Sequence, residues 1–297
     1  MRVFERGWLS SNNVLFTGPG ETALVDSGYV THAPQTLALV ERALGGRPLD
    51  HLLNTHLHSD HCGGNATLQE RHGCRTAIPV CEADKVRAWD EDALSYRATG
   101  QQCPRFGFTD TIAAGQRLTL GGLEWQALAA PGHDPHSLIY YCEREGILIS
   151  ADALWERGFG VIFPELDGRS GFAEARAALT LIASLDARLV IPGHGAMFGD
   201  VDAALARAVS RLDFLEADPR RNAENAVKVL LKFWLLEHRA LTLPRVAQLF
   251  ETTPVVRAAA RHHLHLQPPA LAEWAAAALV RAGAATRAGE VLRDLSN

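Results

Sequence analysis

The chain has no apolar run near the roughly 20 residues needed to cross a bilayer, so no membrane span is expected. Its first sixteen residues lack the apolar core of a secretory leader, being broken by Arg2, Glu5, Arg6 and the polar run Ser10 to Asn13. Five cysteines, odd in number and irregularly spaced, imply no disulfide framework and make a reducing cytoplasm the default expectation. A net charge of −5 leaves no general footprint for nucleic acid. Internal repeats and low-complexity tracts are missing as well. What is there is ordinary for a globular protein, 47% hydrophobic and 21% charged, and 297 residues give room for two domains.

One stretch is far from ordinary. Thr55-His56-Leu57-His58-Ser59-Asp60-His61 places three imidazoles and a carboxylate within six positions. That nitrogen and oxygen set suits Zn²⁺, with Fe and Mn as alternatives. The stretch follows apolar Leu52-Leu53 and precedes Gly63-Gly64, so it reads as a tight loop leaving a strand. In an extended chain alternate side chains share a face, so continued extension predicts His56, His58 and Asp60 on one side and His61 on another. A single stretch then feeds two adjacent metal positions.

Short strands are expected at 14–16, 23–26, 51–54 and 76–80, and helices at 35–44, 65–71 and 83–94. Residues 97–110 show no clear period and read as a loop over something. Two strands around Gly121-Gly122, a hairpin turning at Arg144-Glu145, a helix over 172–185, a strand over 189–191 and a helix over 201–215 follow. The class is α/β with mixed strand pairing. Composition shifts near residues 217–221, so the expected domains are 1–215 and 216–297. The second reads as mostly helical, closing on a helix and a glycine-turned hairpin, the outline of a winged helix.

Three further candidates end strands beside small residues: His133 after Pro131-Gly132, Asp152 after Ser150-Ala151, and His194 between Gly193 and Gly195. Glycine lets backbone come close to a metal centre. His56-x-His58-x-Asp60-His61, followed by His133, Asp152 and His194, resembles the metallo-β-lactamase-fold hydrolase superfamily over residues 10 to 215, and Leu24-Val25-Asp26-Ser27-Gly28 is similar to its Asp-x-Gly turn. The resemblance implies an αββα sandwich with metals at one edge. It assigns His56, His58 and His133 to a first divalent ion, Asp60, His61 and His194 to a second, and Asp152 to both. It implies a dinuclear metal-dependent hydrolase whose metal-bridging hydroxide cleaves an ester, thioester or lactone of a small metabolite, with Asp60 orienting that nucleophile and taking its proton. Asp26 is a candidate acceptor for a ligand imidazole, and His136 a candidate proton shuttle or pocket residue.

Asp152 points away from the drug-hydrolysing members, which usually lack this carboxylate. Glyoxalase II keeps it and follows it with a glycine-rich turn and a basic residue that holds glutathione. Here Gly158 and Gly160 match, Val161 stands where the basic residue belongs, and Arg157 is the substitute on offer. The C-terminal region resembles that of members related to β-lactamase-like protein 2, which makes a phosphodiesterase or endoribonuclease the first alternative; a metal-binding regulatory protein of low turnover is the second. Residues from 216 onward hold 11 Lys and Arg against 8 Asp and Glu, a net +3, which disfavours nucleic acid as a partner there. A homodimer stays open. Arg105, Trp155, Arg157 and Phe159 are the candidate substrate contacts, an apolar pocket with basic anchors being the usual form of a small-molecule site. Phe233 and Trp234 read as core of the C-terminal region or as a roof over the site. His262, His263 and His265 have no acidic neighbour in sequence and read as surface or packing residues.

Overall fold

A computed structural model describes residues 1–18 and 20–295. The first sheet has six strands in the order β1 (Arg2–Phe4), β2 (Asn13–Phe16), β3 (Ala23–Val25), β4 (His51–Leu53), β5 (Arg75–Pro79), β6 (Asp110–Ile112). The second places β11 (Leu189–Pro192) beside β10 (Ile147–Ala151), then β9 (Leu138–Cys142), β8 (Leu123–Ala129) and β7 (Arg117–Leu120). Strand alternation sorts the side chains into layers. Val14, Phe16 and Leu53 of the first sheet meet Trp125, Tyr140 and Ile149 of the second in a shared central core. The intervening Leu15, Leu24 and Leu52 face outward, where α1 (Ala33–Leu44) and α3 (Asn65–His72) cover them with Val40, Leu44 and Leu68. Leu148 and Val190 likewise turn to α6 (Phe172–Ser184) and α7 (Val201–Glu216). Strands buried on both faces explain why β2 and β9 read as short apolar runs with no alternation. The expected αββα sandwich is the fold found.

Two elements differ from the sequence reading. The helix expected over 83–94 stops as α4 (Ala83–Ala88), because Trp89 takes a left-handed conformation (φ 52°) and packs edge-on against Phe106, 5.4 Å between ring centres. The loop over 97–110 begins with a short helix, α5 (Tyr96–Thr99).

Beyond α7 the chain turns within two residues into α8 (Pro219–His238), where the Asp218 side chain accepts from the Arg220 amide at 3.1 Å and Pro219 opens the first turn. Then come β12 (Ala240–Thr242), α9 (Leu243–Thr252), α10 (Pro254–Ala259), α11 (Pro268–Arg281), β13 (Ala285–Ala288) and β14 (Val291–Asp294); the three strands form a small sheet in the order β12-β14-β13. One apolar cluster joins Leu230, Phe233 and Trp234 of α8 to Leu9, Tyr29 and Val161 of the sandwich. Tyr29 also donates to Glu237 at 3.2 Å, and the Trp234 indole to the Gly100 carbonyl at 3.3 Å. The α8 helix is therefore packed down on the edge where the histidines lie. No helix among the described residues is long and apolar enough to cross a membrane.

Candidate metal centre

Strand β4 delivers the chain into the histidine stretch, and the two sheets are tied together there. Leu138 N donates to the Thr55 carbonyl at 2.8 Å, and the Tyr140 hydroxyl to the Asn54 carbonyl at 2.9 Å. The backbone is extended only as far as His58. It then closes a helical turn, α2 (Ser59–Cys62), with the His61 amide on the His58 carbonyl at 2.9 Å. The expected side-by-side alternation through Asp60 is thus corrected: the turn swings Asp60 and His61 together toward a second cluster and carries Cys62 away, into contact with the Tyr96 hydroxyl at 3.2 Å. His61 Nε2 meets neither His58 nor His133 but faces Asp152.

Three ligand-capable groups result: His56, His58 and His133; Asp60, His61 and His194; and a set that joins His56 and His61 to Asp152. In the first, His58 Nδ1 lies 3.2 Å from His56 Nε2 and 2.7 Å from His133 Nε2. In the second, His194 Nε2 is 3.1 Å from Asp60 Oδ2. Asp152 stands between them, with Oδ1 3.4 Å from His61 Nε2 and Oδ2 3.3 Å from His133 Nε2. Ligands of one tetrahedral zinc, each bound at roughly 2.0–2.2 Å, sit about 3.3–3.5 Å apart, so all of these separations but the shorter His58–His133 one are near those of a set built around ions. His61 Nε2 is buried and has no hydrogen-bond partner, which an ion at that position would satisfy. The residues fit divalent metal.

The backs of the rings are held. His61 Nδ1 donates to Asp26 Oδ2 at 2.8 Å. The Thr55 hydroxyl donates to the same oxygen at 2.8 Å, which leaves its own lone pairs to accept from His56 Nδ1 at 3.1 Å. His133 Nδ1 donates to the Val161 carbonyl at 2.5 Å. Each bond fixes a tautomer that turns Nε2 toward the ligand cluster. His58 and His194 differ: His58 turns Nδ1 inward with its Nε2 3.7 Å from Asp134 Oδ2, while His194 Nδ1 is buried without a partner and its ring is stacked on Trp8, 5.5 Å between centres at 8°.

Burial holds the His56 and His58 imidazoles below their usual range, and brings His133 down to about 4. For His61 burial pulls the same way, but the carboxylates of Asp152 and Asp26 on its two nitrogens win and raise it well above the usual value. Without metal this ring therefore keeps both protons at neutral pH, and loading an ion must displace the one on Nε2. Calorimetry of metal uptake at pH 7 in buffers of different ionisation heat should show at least one proton released per chain, the His61 proton plus any from ionisation of bound water. Zero release would mean that His61 is neutral before metal arrives.

Two glycines are required by close approach. A Cβ at Gly193 would fall 2.1 Å from Asp152 Oδ1, and one at Gly160 2.5 Å from His133 Nδ1. Gly160→Ala should push His133 off the Val161 carbonyl and weaken metal binding on the order of 10- to 100-fold, read by chelator competition. Native affinity in that variant would show that the His133–Val161 bond is dispensable.

The cluster opens into a chamber of about 100 Å³. Trp155 and Phe159 line it, and the Trp155 indole also donates to Asp152 Oδ1 at 3.2 Å. Arg105 and Arg157 do not. Arg105 is exposed beyond α4, 3.5 Å from the Arg87 carbonyl, and Arg157 points to solvent. Sequence reasoning missed Trp8, Gln101 and Asn225, which come from an N-terminal turn, the loop after α5 and helix α8. Phe233 roofs the chamber, whereas Trp234 is core. His136 faces a neighbouring 420 Å³ pocket and pairs with Glu82; Lys85 sits 2.8 Å from that carboxylate, so an internal cation already occupies this acidic group. His262, His263 and His265 join no metal-capable group among the described residues.

A family model described as the metallo-beta-lactamase superfamily matches residues 6–194. The chain belongs to the metallo-beta-lactamase superfamily. Its family and its clustered His and Asp side chains make it a metal-dependent hydrolase that binds divalent metal. This superfamily member is 26% identical over 253 residues to a hydroxyacylglutathione hydrolase of Rhizobium etli, covering 84% of this chain and 83% of that one. It is 28% identical over 209 residues to thioesterase pkgB of Emericella nidulans, covering 68% of this chain and 51% of that one. Among solved structures, a metallo-beta-lactamase family protein of Thermus thermophilus shares the fold over 96% of this chain and 93% of its own, with a TM-score of 0.54 and 22% identity. A protein solved in a di-iron-bound form, TTHA1623, is 26% identical with a TM-score of 0.57, over 70% of this chain and 98% of that one.

Proposed function

We propose that the protein is a dinuclear hydrolase of a small thioester, with ester and lactone as related substrates. His56, His58 and His133 would hold one ion, Asp60, His61 and His194 the other, and Asp152 would contact both. The observation that carries this reading is the placement of Asp152, with one oxygen toward each histidine group. Relatives named hydroxyacylglutathione hydrolase and thioesterase support the thioester class. Zinc is the first candidate from the nitrogen and oxygen donor set, and iron the second.

Bound divalent ions supply a water-derived nucleophile at neutral pH and polarise the scissile carbonyl. The chain supplies the rest. Burial pushes the Asp60 carboxyl up, but the His194 hydrogen bond and the nearby His61 hold it below the usual carboxylate range, so it is ionised and able to take a proton from the attacking water. Trp155, Phe159 and Phe233 put apolar surface beside the reacting groups and reduce their contact with bulk water. Residues 216–295, the described part of the expected second domain, form in this reading a winged-helix-like domain whose first full helix, α8, closes the chamber. Among the described residues no Lys or Arg lines that chamber, so a phosphodiesterase or RNA-cleaving role gains no support. Five free thiols suit the reducing cytoplasm we infer.

Metal analysis of the purified protein, run beside a thioester, lactone and phosphodiester panel, tests the proposal. Two ions per chain and turnover of thioesters are expected. A content well below one ion per chain would sink it.

A further inference from the structure

Asp60 and His194 face each other across the second ligand group, yet they lie 134 positions apart on separate loops. What spans the gap is the segment ahead of β2. The Ser11 amide donates to the Asp60 carbonyl at 2.9 Å, and the Asn12 amide to the Gly193 carbonyl at 2.7 Å. The Asn12 side chain adds two bonds to the same loop, donating to the Pro192 carbonyl at 2.9 Å and to the Gly195 carbonyl at 2.7 Å. Carbonyls only accept, so the atom facing them is Nδ2, and Oδ1 is left to accept from the Arg6 amide at 2.9 Å. Asn12 is 4% exposed, and both of its N–H bonds and its carbonyl are used within the protein.

Trp8 completes the segment. Its ring lies on the His194 imidazole, and Trp155 meets that imidazole edge-on, 5.5 Å between centres at 79°. His194 needs such support, because its buried Nδ1 has no acceptor of the kind that orients His61 and His133. Aromatic contacts at this spacing are attractive and oppose rotation of the ring. Trp8 is 52% exposed, so replacing it empties no core. Among the described residues, no hydrogen bond made by residues 8–12 reaches His56, His58 or His133.

Resting on the dinuclear reading above, we propose that residues 8–12 are a strap that positions the second ligand group, with Asn12 and Trp8 as its positioning residues. The strap supplies no ligand. It fixes the Asp60 loop against the His194 loop before an ion arrives, so the cost of ordering them is met in folding and not in binding. Its loss loosens one ion site and leaves the other as it was. The two ions should therefore respond unequally to one substitution.

The test loads the metal-free full chain with zinc alone, counting ions by native mass spectrometry and measuring each step by chelator competition. Asn12→Ala should weaken one ion on the order of 10- to 100-fold and the other by less than about twofold. Trp8→Leu keeps an apolar side chain without the ring and should weaken the same ion about 5- to 10-fold, while Trp8→Phe restores most of the loss. Being at an exposed site, Trp8→Leu decides the matter should Asn12→Ala not fold. Equal weakening of both ions would assign the segment a general role in folding and overturn the strap, and so would native affinity for both ions in the two variants. A wild-type chain that takes fewer than two ions would overturn the dinuclear reading instead. The strap is then decided without metal: Asn12→Ala should speed amide hydrogen exchange over residues 193–198 about tenfold or more and leave residues 55–58 unchanged. Native exchange over 193–198 would overturn it.

Discussion

Asp152→Ala should cost hydrolysis about 10³-fold or more and bring bound metal down from the proposed two ions to one or none. The carboxylate is 4% exposed and faces His61 with one oxygen and His133 with the other. Alanine removes both contacts at once and leaves three imidazoles crowded around a void without compensating charge. Burial opposes ionisation of Asp152, but the surrounding His194, His61 and His133 hold its carboxyl well below the usual range, so the native group is an anion at any pH where the protein is handled. Asp152→Asn separates the two contributions: it keeps size and the indole contact from Trp155 but loses the charge. It should fold with near-native thermal stability in chelator and still fail to hold the second ion. Mass spectrometry under native conditions and thioester turnover read both effects. Full metal content with unchanged turnover in either variant would remove Asp152 from the mechanism.

The second large effect is expected at a residue that touches no ion. Asp26→Ala should destabilise the protein by about 3–5 kcal/mol and weaken metal binding on the order of 10- to 100-fold. Asp26 accepts from the Thr55 amide at 2.9 Å, from the Thr55 hydroxyl at 2.8 Å and from His61 Nδ1 at 2.8 Å, all in a buried setting. Through Thr55 it also steadies His56. Truncation orphans three donors and frees two ligand rings to rotate. The position adds a backbone constraint, since Asp26 has φ 58°, a conformation that Asp and Asn tolerate better than alanine does. Asp26→Asn should therefore retain most of the stability while still losing metal affinity. Thermal unfolding separates the fold from the site, and chelator competition measures the site alone. Native metal affinity in Asp26→Ala would mean that the rings are oriented by packing and not by this carboxylate.

Much of the site could be read in the chain because metal chemistry restricts residue types severely. Few segments carry three imidazoles and a carboxylate in six positions, and His133, Asp152 and His194 each end a short apolar run beside small residues. The layered fold was legible for a related reason: doubly buried strands leave short apolar runs, and covering helices leave a period near 3.6. The geometry within His56–His61 was not legible. Extension and a helical turn are both compatible with that sequence, and the turn at Ser59–Cys62 is set by hydrogen bonds to the His58 and Ser59 carbonyls. Arg105 and Arg157 illustrate the opposite error. A basic residue near a site in sequence is no guide to where its long side chain goes, and both lie outside the chamber.

The sequence by itself determined the class of fold, the kind of chemistry and the inventory of candidate ligands, because those depend on residue type and local spacing. Tertiary structure decided what the chamber can hold. Trp8, Asn225 and Phe233 lie up to 225 residues apart in number and meet only because α8 folds back over the open edge of the sandwich. That closure is driven by burial of an apolar helix face, which is non-directional and leaves no motif. It is also what replaces the basic anchors expected near Arg105 and Arg157 with a largely apolar wall.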